Sequence, residues 1–219
     1  QTIFTQFKIG QYKCSQYLIP TLSEVQPKLN LILDLSQSYE VIQQQYTKAC
    51  KRNLAKSATN FIVQQSTDIA LLLAYYQQAY GHLAAYKPKH YQRLERLLTA
   101  LQERGQLQLY TITIAQEVVF VGALVDDGKR LYYLMGAPNE AGRKARITYV
   151  FIDYILRKFA QTNYIFDFEG SEIENVATFY RSFSPTEEYY YTKRFNHLPS
   201  FLQTITNKID LVIFNLFPS

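Results

Sequence analysis

The chain has 219 residues and a formal net charge of +5, and 47% of its residues are hydrophobic. This length suits one large domain, and the hydrophobic content is enough for a packed core, which excludes a disordered chain. The basic excess is compatible with an anionic ligand, but mildly basic proteins without one are also common.

The cysteines and histidines show no metal-binding or redox spacing. Cys14 and Cys50 stand far apart, and His82, His90 and His197 are scattered along the chain. No apolar run approaches the roughly 20 residues that cross a bilayer. We therefore expect a cytoplasmic protein without a metal site, a disulfide framework or a transmembrane segment.

The first third of the chain begins with a β-rich segment, residues 1–30, which we interpret as an edge strand or as the remnant of an upstream domain. One helix is predicted next, because apolar residues recur at helical spacing at Tyr39, Ile42, Tyr46, Cys50 and Leu54. Its other side carries four basic residues: Lys48, Lys51, Arg52 and Lys56. These form either a stripe that faces phosphates, as on a tRNA, or an ordinary solvated helix face.

The middle of the chain reads as a strand, two helices and a three-stranded meander. We predict a strand at Phe61–Gln65, a helix capped by Thr67 that ends at Gly81, a second helix at Lys89–Arg104, and strands at Leu107–Ile114, Val118–Val125 and Arg130–Met135. Asp126–Lys129 is a hairpin signal, since Gly128 can adopt a positive φ. A loop, Gly136–Arg146, then leads into a helix at Ile147–Ala160.

The fold prediction depends most on the stretch Tyr164–Phe195. It contains a strand at Tyr164–Glu169, a break at Gly170-Ser171, a helix that carries Tyr180, and an aromatic strand at Glu188–Phe195. The apolar segment 197–219 follows. We interpret it as a final helix packed on the domain, with a membrane-surface helix as the alternative.

This order of elements resembles the N-acetyltransferase (GNAT) superfamily. Two motifs, DFEGS from Asp167 and FYRSF from Phe179 to Phe183, look closest to its FemAB-like branch. The resemblance implies an α/β (α+β) acyl-CoA N-acyltransferase fold over residues 31–196, with a mixed, mostly antiparallel central sheet flanked by helices. Ser184-Pro185 stands where that branch has Gly-Phe.

The resemblance also implies where an acyl donor binds. In that family two central strands splay apart, and the pyrophosphate of CoA rests on amides at the start of the next helix. The corresponding residues here are Met135, Gly142, Arg143, Lys144 and Ala145. Asn139 and Lys144 depart from the family's CoA signature, so an ordinary basic loop is the alternative interpretation.

Two residues are candidates for proton transfer. The family's helical tyrosine, which protonates the leaving group, corresponds to Tyr180; the alternative is a packing residue. Asp167 and Glu169 are predicted to share one strand face, where Glu169 could take a proton from an amine. The alternative is that the carboxylate accepts bonds from loop amides.

The resemblance implies an N-acyltransferase that moves an acyl or aminoacyl group to an amine. The resemblance implies an acyl-CoA or acetyl-CoA donor, with aminoacyl-tRNA as the alternative, and an acceptor that is an amine-bearing small molecule or a peptidoglycan-precursor peptide. A homo-oligomer is possible, and no DNA partner is expected. The rival hypotheses are a catalytically inactive binding or assembly module of the same fold, and a membrane- or nucleic-acid-associated protein.

Overall fold

One sheet of eight strands forms the centre of the molecule in this computed structural model, which describes residues 9–15, 26–57, 59–82 and 87–196. The strands are β1 (Ile9–Ser15), β2 (Gln26–Asp34), β3 (Phe61–Ser66), β4 (Leu107–Ile114), β5 (Glu117–Asp126), β6 (Arg130–Pro138), β7 (Ile165–Asp167) and β8 (Thr186–Asn196).

Helices cover both faces of the sheet. Those in the described ranges are α1 (Tyr39–Gln45), α2 (Lys48–Ala55), α3 (Ile69–Tyr80), α4 (Pro88–Glu103), α5 (Glu140–Lys144), α6 (Ile147–Phe159) and α7 (Glu174–Arg181). α6 connects two parallel neighbours, β6 and β7, and is therefore the crossover helix that parallel pairing requires.

The strand order is β1-β8-β2-β7-β6-β5-β4-β3. β6 and β7 run parallel, and the other neighbouring pairs among the described strands are antiparallel. This confirms the predicted α+β architecture with a mixed, mostly antiparallel sheet. The strands at 9–15 and 26–30, within the β-rich segment, belong to this same sheet, and the helix predicted at 197–219 lies outside the described residues.

Alternating residues of the central strands belong to two hydrophobic clusters, which lie on opposite faces of the sheet. On β5, Phe120 and Leu124 join the larger cluster with α6 and α7, whereas Val121 and Ala123 join the smaller one with α3 and α4. Successive side chains of a strand point to opposite faces, which produces this division. The larger cluster centres on Phe151 of α6, whose ring centroid lies 4.7 Å from that of Phe120.

The predicted helix through Tyr39 and Leu54 is wrong as a single element, because the chain breaks after Gln45. Thr47 begins a second helix, α2, where its side-chain oxygen accepts the amide of Cys50. A hydroxyl that caps a helix in this way competes with continuation of the preceding helix. The cap of α3 is likewise Asp68 rather than the predicted Thr67.

The predicted loop Gly136–Arg146 is also wrong over most of its length. Gly136 to Pro138 continue β6, and Glu140–Lys144 form the short helix α5, which Asn139 caps by accepting the Gly142 amide at 2.8 Å. Tyr164–Glu169 contains a shorter strand than predicted, since β7 ends at Asp167. These differences determine the shape of the candidate site.

Candidate functional site

The candidate site is the gap where β6 and β7 diverge. The two strands pair over only three residues each, Arg130–Tyr132 with Ile165–Asp167, although β6 continues to Pro138. On its other side β6 remains paired with β5 up to Pro138. From Tyr133 onward, the β6 edge facing the gap therefore has no strand partner in the part of the chain that the structure describes.

Local backbone features on both strands produce the divergence. The β5–β6 register shifts between Ala123 and Leu124, which leaves Leu134 as an extra residue on β6. Such a bulge bends the strand that carries it. After β7, Glu169 and Gly170 have φ of 51° and 62°, and this pair of left-handed residues turns the chain toward α7.

Tyr180 lies on α7 beside the gap. It is 8% exposed, and its ring packs 5.0 Å from that of Phe168 and 6.2 Å from that of Tyr133. Burial raises the pKa of Tyr180 above its ordinary value, and the neighbouring Tyr80 and Glu169 raise it further. The hydroxyl is therefore protonated over the whole physiological range.

Two more tyrosines face the same gap and were not predicted from the sequence. The Tyr80 hydroxyl, at the end of α3, donates to the Gly136 carbonyl at 3.2 Å. Burial raises the pKa of Tyr80 and of Tyr133, and Tyr80 and Tyr180 both contribute to the shift at Tyr133. No spacing marks Tyr80 in a chain with 19 tyrosines, so only tertiary structure reveals it.

Glu169 lies at the mouth of the gap and Asp167 beneath it. Glu169 is exposed, and its charge acts on both Tyr180 and Tyr190. Asp167 is 1% exposed and accepts hydrogen bonds from Asn30, Arg130 and the Glu169 amide. The predicted pairing of the two carboxylates on one strand face is wrong, because the strand ends at Asp167 and Glu169 turns away.

The predicted donor-binding residues divide into two groups. Arg143 donates to the Pro138 carbonyl at 3.0 Å and its charge acts on Tyr80, so it lies at the upper end of the gap, where β6 ends. Met135 lies on the part of β6 that pairs with β5 but extends beyond the pairing with β7. Gly142 is buried against β5, where a side chain would collide with the Val119 carbonyl.

The other two predicted donor-binding residues follow Gly142 on α5. Lys144 is exposed and pairs with Glu140 at 2.7 Å. Ala145 ends α5 and is half-buried. Neither is tied to the gap by a contact among the described residues. The donor-binding role of all five residues stays a prediction.

The basic face of α2 lies elsewhere. Lys48, Arg52 and Lys56 are exposed, and Lys51 donates to the Gln44 carbonyl at 2.7 Å. A cavity of about 640 Å³ adjoins this helix and is lined by side chains of α1, α2, β3 and α6. Since none of the residues described above for the gap lines it, this cavity is separate from the gap.

The described residues contain no cluster of three or more His, Cys, Asp or Glu side chains that could hold a metal ion. Of the helices in the described ranges, none has both the length and the hydrophobicity needed to span a bilayer. The groups that the residues of the gap provide are tyrosine hydroxyls, the Glu169 carboxylate, the Arg143 guanidinium and the backbone of β6.

Comparison with known protein families identifies the family of this chain. The family model described as an acetyltransferase (GNAT) domain matches residues 43–174, which is more than half of the chain. The matched range contains α3, β4, β5, β6, α6 and β7, and so both strands of the gap. It stops at the start of α7, which carries Tyr180. No curated protein sequence matches the chain.

Solved structures share the fold at low sequence identity. A conserved protein of unknown function from Bacteroides thetaiotaomicron matches with a TM-score of 0.57 and 12% identity over 79% of this chain and 62% of its own. FemX matches with a TM-score of 0.57 and 11% identity over 87% and 64%. A conserved protein of unknown function from Staphylococcus epidermidis matches with a TM-score of 0.53 and 9% identity over 86% and 73%. The chain thus spans less than two thirds of the length of the first two structures.

Proposed function

Since the chain belongs to the GNAT acetyltransferase domain family, as the match over more than half of its length shows, we propose that it transfers an acyl or aminoacyl group to an amine. The observation that carries this proposal is the gap between β6 and β7. A strand edge without a partner offers N–H and C=O groups to an extended ligand, as in strand addition. The donor would lie along this edge from Tyr133 to Pro138.

The side chains around the gap supply the proton transfers that the reaction needs. A neutral amine attacks the carbonyl of a thioester or ester, the amine loses a proton, and the leaving group gains one. Glu169 would accept the first proton, directly or through water. Tyr180 would donate the second, because α7 places its protonated hydroxyl beside the gap. An amide of the unpaired β6 edge would stabilise the oxyanion.

The donor is either acyl-CoA, including acetyl-CoA, or aminoacyl-tRNA. Arg143, at the upper end of the gap, is the cation best placed for a phosphate group of either donor. We place the proposed reaction in the cytoplasm, where both donors are present. The acceptor would be an amine-bearing small molecule or, in view of the resemblance to the FemAB-like branch, a peptidoglycan-precursor peptide.

Binding and turnover with both donors test the proposal. The protein is titrated with acetyl-CoA, CoA, charged tRNA and uncharged tRNA while its melting temperature is followed, because a ligand that binds only the native state raises it. Transfer to a panel of amines is then measured with the donor that binds. Stabilisation by one donor and turnover support the proposal; no shift and no turnover with any donor would overturn it.

A second candidate, an inactive binding or assembly module, is favoured by one observation. The Gly142 amide, predicted to hold the pyrophosphate, already donates to the Asn139 side chain, and Gly142 is packed on β5. In this case the protein would turn over no donor, and replacing Tyr180 by phenylalanine would change nothing. Turnover above the uncatalysed rate excludes this candidate.

A further inference from the structure

A hydrogen-bonded ion network lies directly beneath the gap, where β6 and β7 are still paired. Arg130 at the start of β6 donates to Asp167 at 2.8 Å and to both carboxylate oxygens of Glu188 at 2.9 and 3.1 Å. Asn30 of β2 donates to the same Asp167 oxygen at 3.0 Å. Four strands, β2, β6, β7 and β8, thus converge on one guanidinium and two carboxylates.

The second oxygen of Asp167 has a different role. It accepts the backbone amide of Glu169 at 3.0 Å, two residues further along the chain. This bond closes a turn over Phe168 and lies next to the left-handed conformation of Glu169, which a non-glycine residue adopts only when its surroundings enforce it. One oxygen is therefore oriented by the sheet, and the other fixes the backbone of Glu169.

We propose that Asp167 is a positioning residue for the reaction, and that the Arg130–Asp167 pair sets the direction in which Glu169 faces the gap. The inference rests on the proposed function, because it takes Glu169 as the group that accepts the amine proton. Arg130 and Asn30 hold the carboxylate plane of Asp167, and that plane determines where the Glu169 amide, and hence its side chain, can lie. Asp167 itself touches no substrate, since it is 1% exposed.

The test replaces Asp167 by asparagine. Asn30 and Arg130 are donors, so they orient the amide oxygen of the new residue toward themselves and turn its NH₂ group toward the Glu169 amide. The bond to Glu169 is then lost. Misplacing a reacting group by about 1 Å can cost up to about 100-fold in rate. We expect kcat for amine transfer to fall about 10- to 100-fold, with the KM for the donor unchanged.

Glu188→Gln is the matched control, since it perturbs the same network on the far side of Arg130 and leaves the Glu169 amide bond in place. Its kcat should stay within about threefold of wild type, even if its melting temperature falls. If Asp167→Asn fails to fold, Asn30→Ala removes one donor to Asp167 without changing a charge, and a selective loss of kcat is expected again.

Two outcomes separate this inference from the proposed function. If the wild-type chain transfers the acyl group and Asp167→Asn leaves kcat intact, or if Asp167→Asn and Glu188→Gln lower kcat equally, Asp167 has no positioning role and the inference is overturned while the proposed function stands. If the wild-type chain shows no transfer with any donor, the proposed function fails, and with it the inference.

Discussion

The two ends of the β6–β7 pair differ in chemistry although they are only a few residues apart. At the lower end the strands are hydrogen-bonded, and the side chains are charged groups that satisfy one another: Arg130, Asp167 and Glu188. At the upper end the strands diverge, and three buried or half-buried tyrosines, Tyr80, Tyr133 and Tyr180, surround the space between them.

Under the proposed function, a single sheet would hold both a fixed frame and a reaction site. Charges at the lower end are paired with one another, so they stabilise one geometry. The tyrosines at the upper end carry protons that they retain at neutral pH, and the β6 edge on the gap side has no strand partner there among the described residues. The lower end should therefore govern stability and the upper end turnover, and mutations can separate the two.

The largest expected effect is on turnover, from Tyr180→Phe. Loss of a general acid lowers the rate by about 100- to 10,000-fold. No hydrogen bond contributes to the pKa of Tyr180, so the melting temperature should change little. Tyr133→Phe is the control, because it removes a hydroxyl that is equally buried but belongs to β6 rather than α7. Equal losses of kcat in the two variants would contradict the role given to Tyr180.

The next effect is on stability, from Arg130→Met at the lower end. Asp167 would remain buried without its cation, and breaking a buried pair by removing one partner costs about 3–5 kcal/mol. The cost should lie toward the lower value, since the Arg130 side chain is 23% exposed. Urea unfolding measures the change in free energy. Arg130→Lys, which keeps the charge, should lose less, and an equally large loss would show that charge is not the cause.

A smaller effect is expected at the upper end from Gly136→Ala. The new methyl group would collide with the Tyr133 hydroxyl and the Phe120 ring, and overpacking of this kind costs about 1–3 kcal/mol. Adding Tyr133→Phe removes one of the colliding atoms, so the double variant should recover part of the lost stability. Strictly additive losses would show that the two residues are not in contact.

The smallest effect concerns how the free energy of unfolding changes at acidic pH. Hydrogen bonds from Arg130 hold the pKa of Glu188 below its ordinary value of 4.5. The carboxylate therefore stabilises the fold above that pH, and its contribution is lost as the pH falls through the lowered pKa. Glu188→Gln should reduce stability at pH 7 by less than about 1 kcal/mol and flatten its decline below pH 4.5. An unchanged slope would mean that Glu188 does not contribute.

Much of the fold could be predicted because its signals are local. The helical spacing along α4 and α6 and the Gly128 hairpin depend on neighbouring residues, and these elements agree with the structure to within one residue or a few. Where the prediction was wrong, a local polar group redirected the chain. Thr47 divided the first helix, and Asn139 turned the predicted loop into α5.

The candidate site was less predictable, because it depends on contacts across the sheet. Tyr180 and Glu169 were singled out through the stretch that resembles the family, and the structure brings them to one gap. Tyr80 lies 100 residues earlier in the chain than Tyr180 and carries no local signal. The hydrogen bonds to the Asp167 carboxylate could not be predicted from its own segment either, because its partners Asn30 and Arg130 come from β2 and β6.

Amide hydrogen exchange along β6, with and without donor, tests the central claim most directly. Without donor, the amides of Tyr133 to Ala137 that face the gap should exchange quickly, whereas those paired with β5 should be protected. We predict that a bound acyl donor slows exchange at the gap-facing amides and leaves the β5-facing ones unchanged. Protection confined to other regions, such as α2 beside the separate cavity, would contradict the assignment of the gap as the donor site.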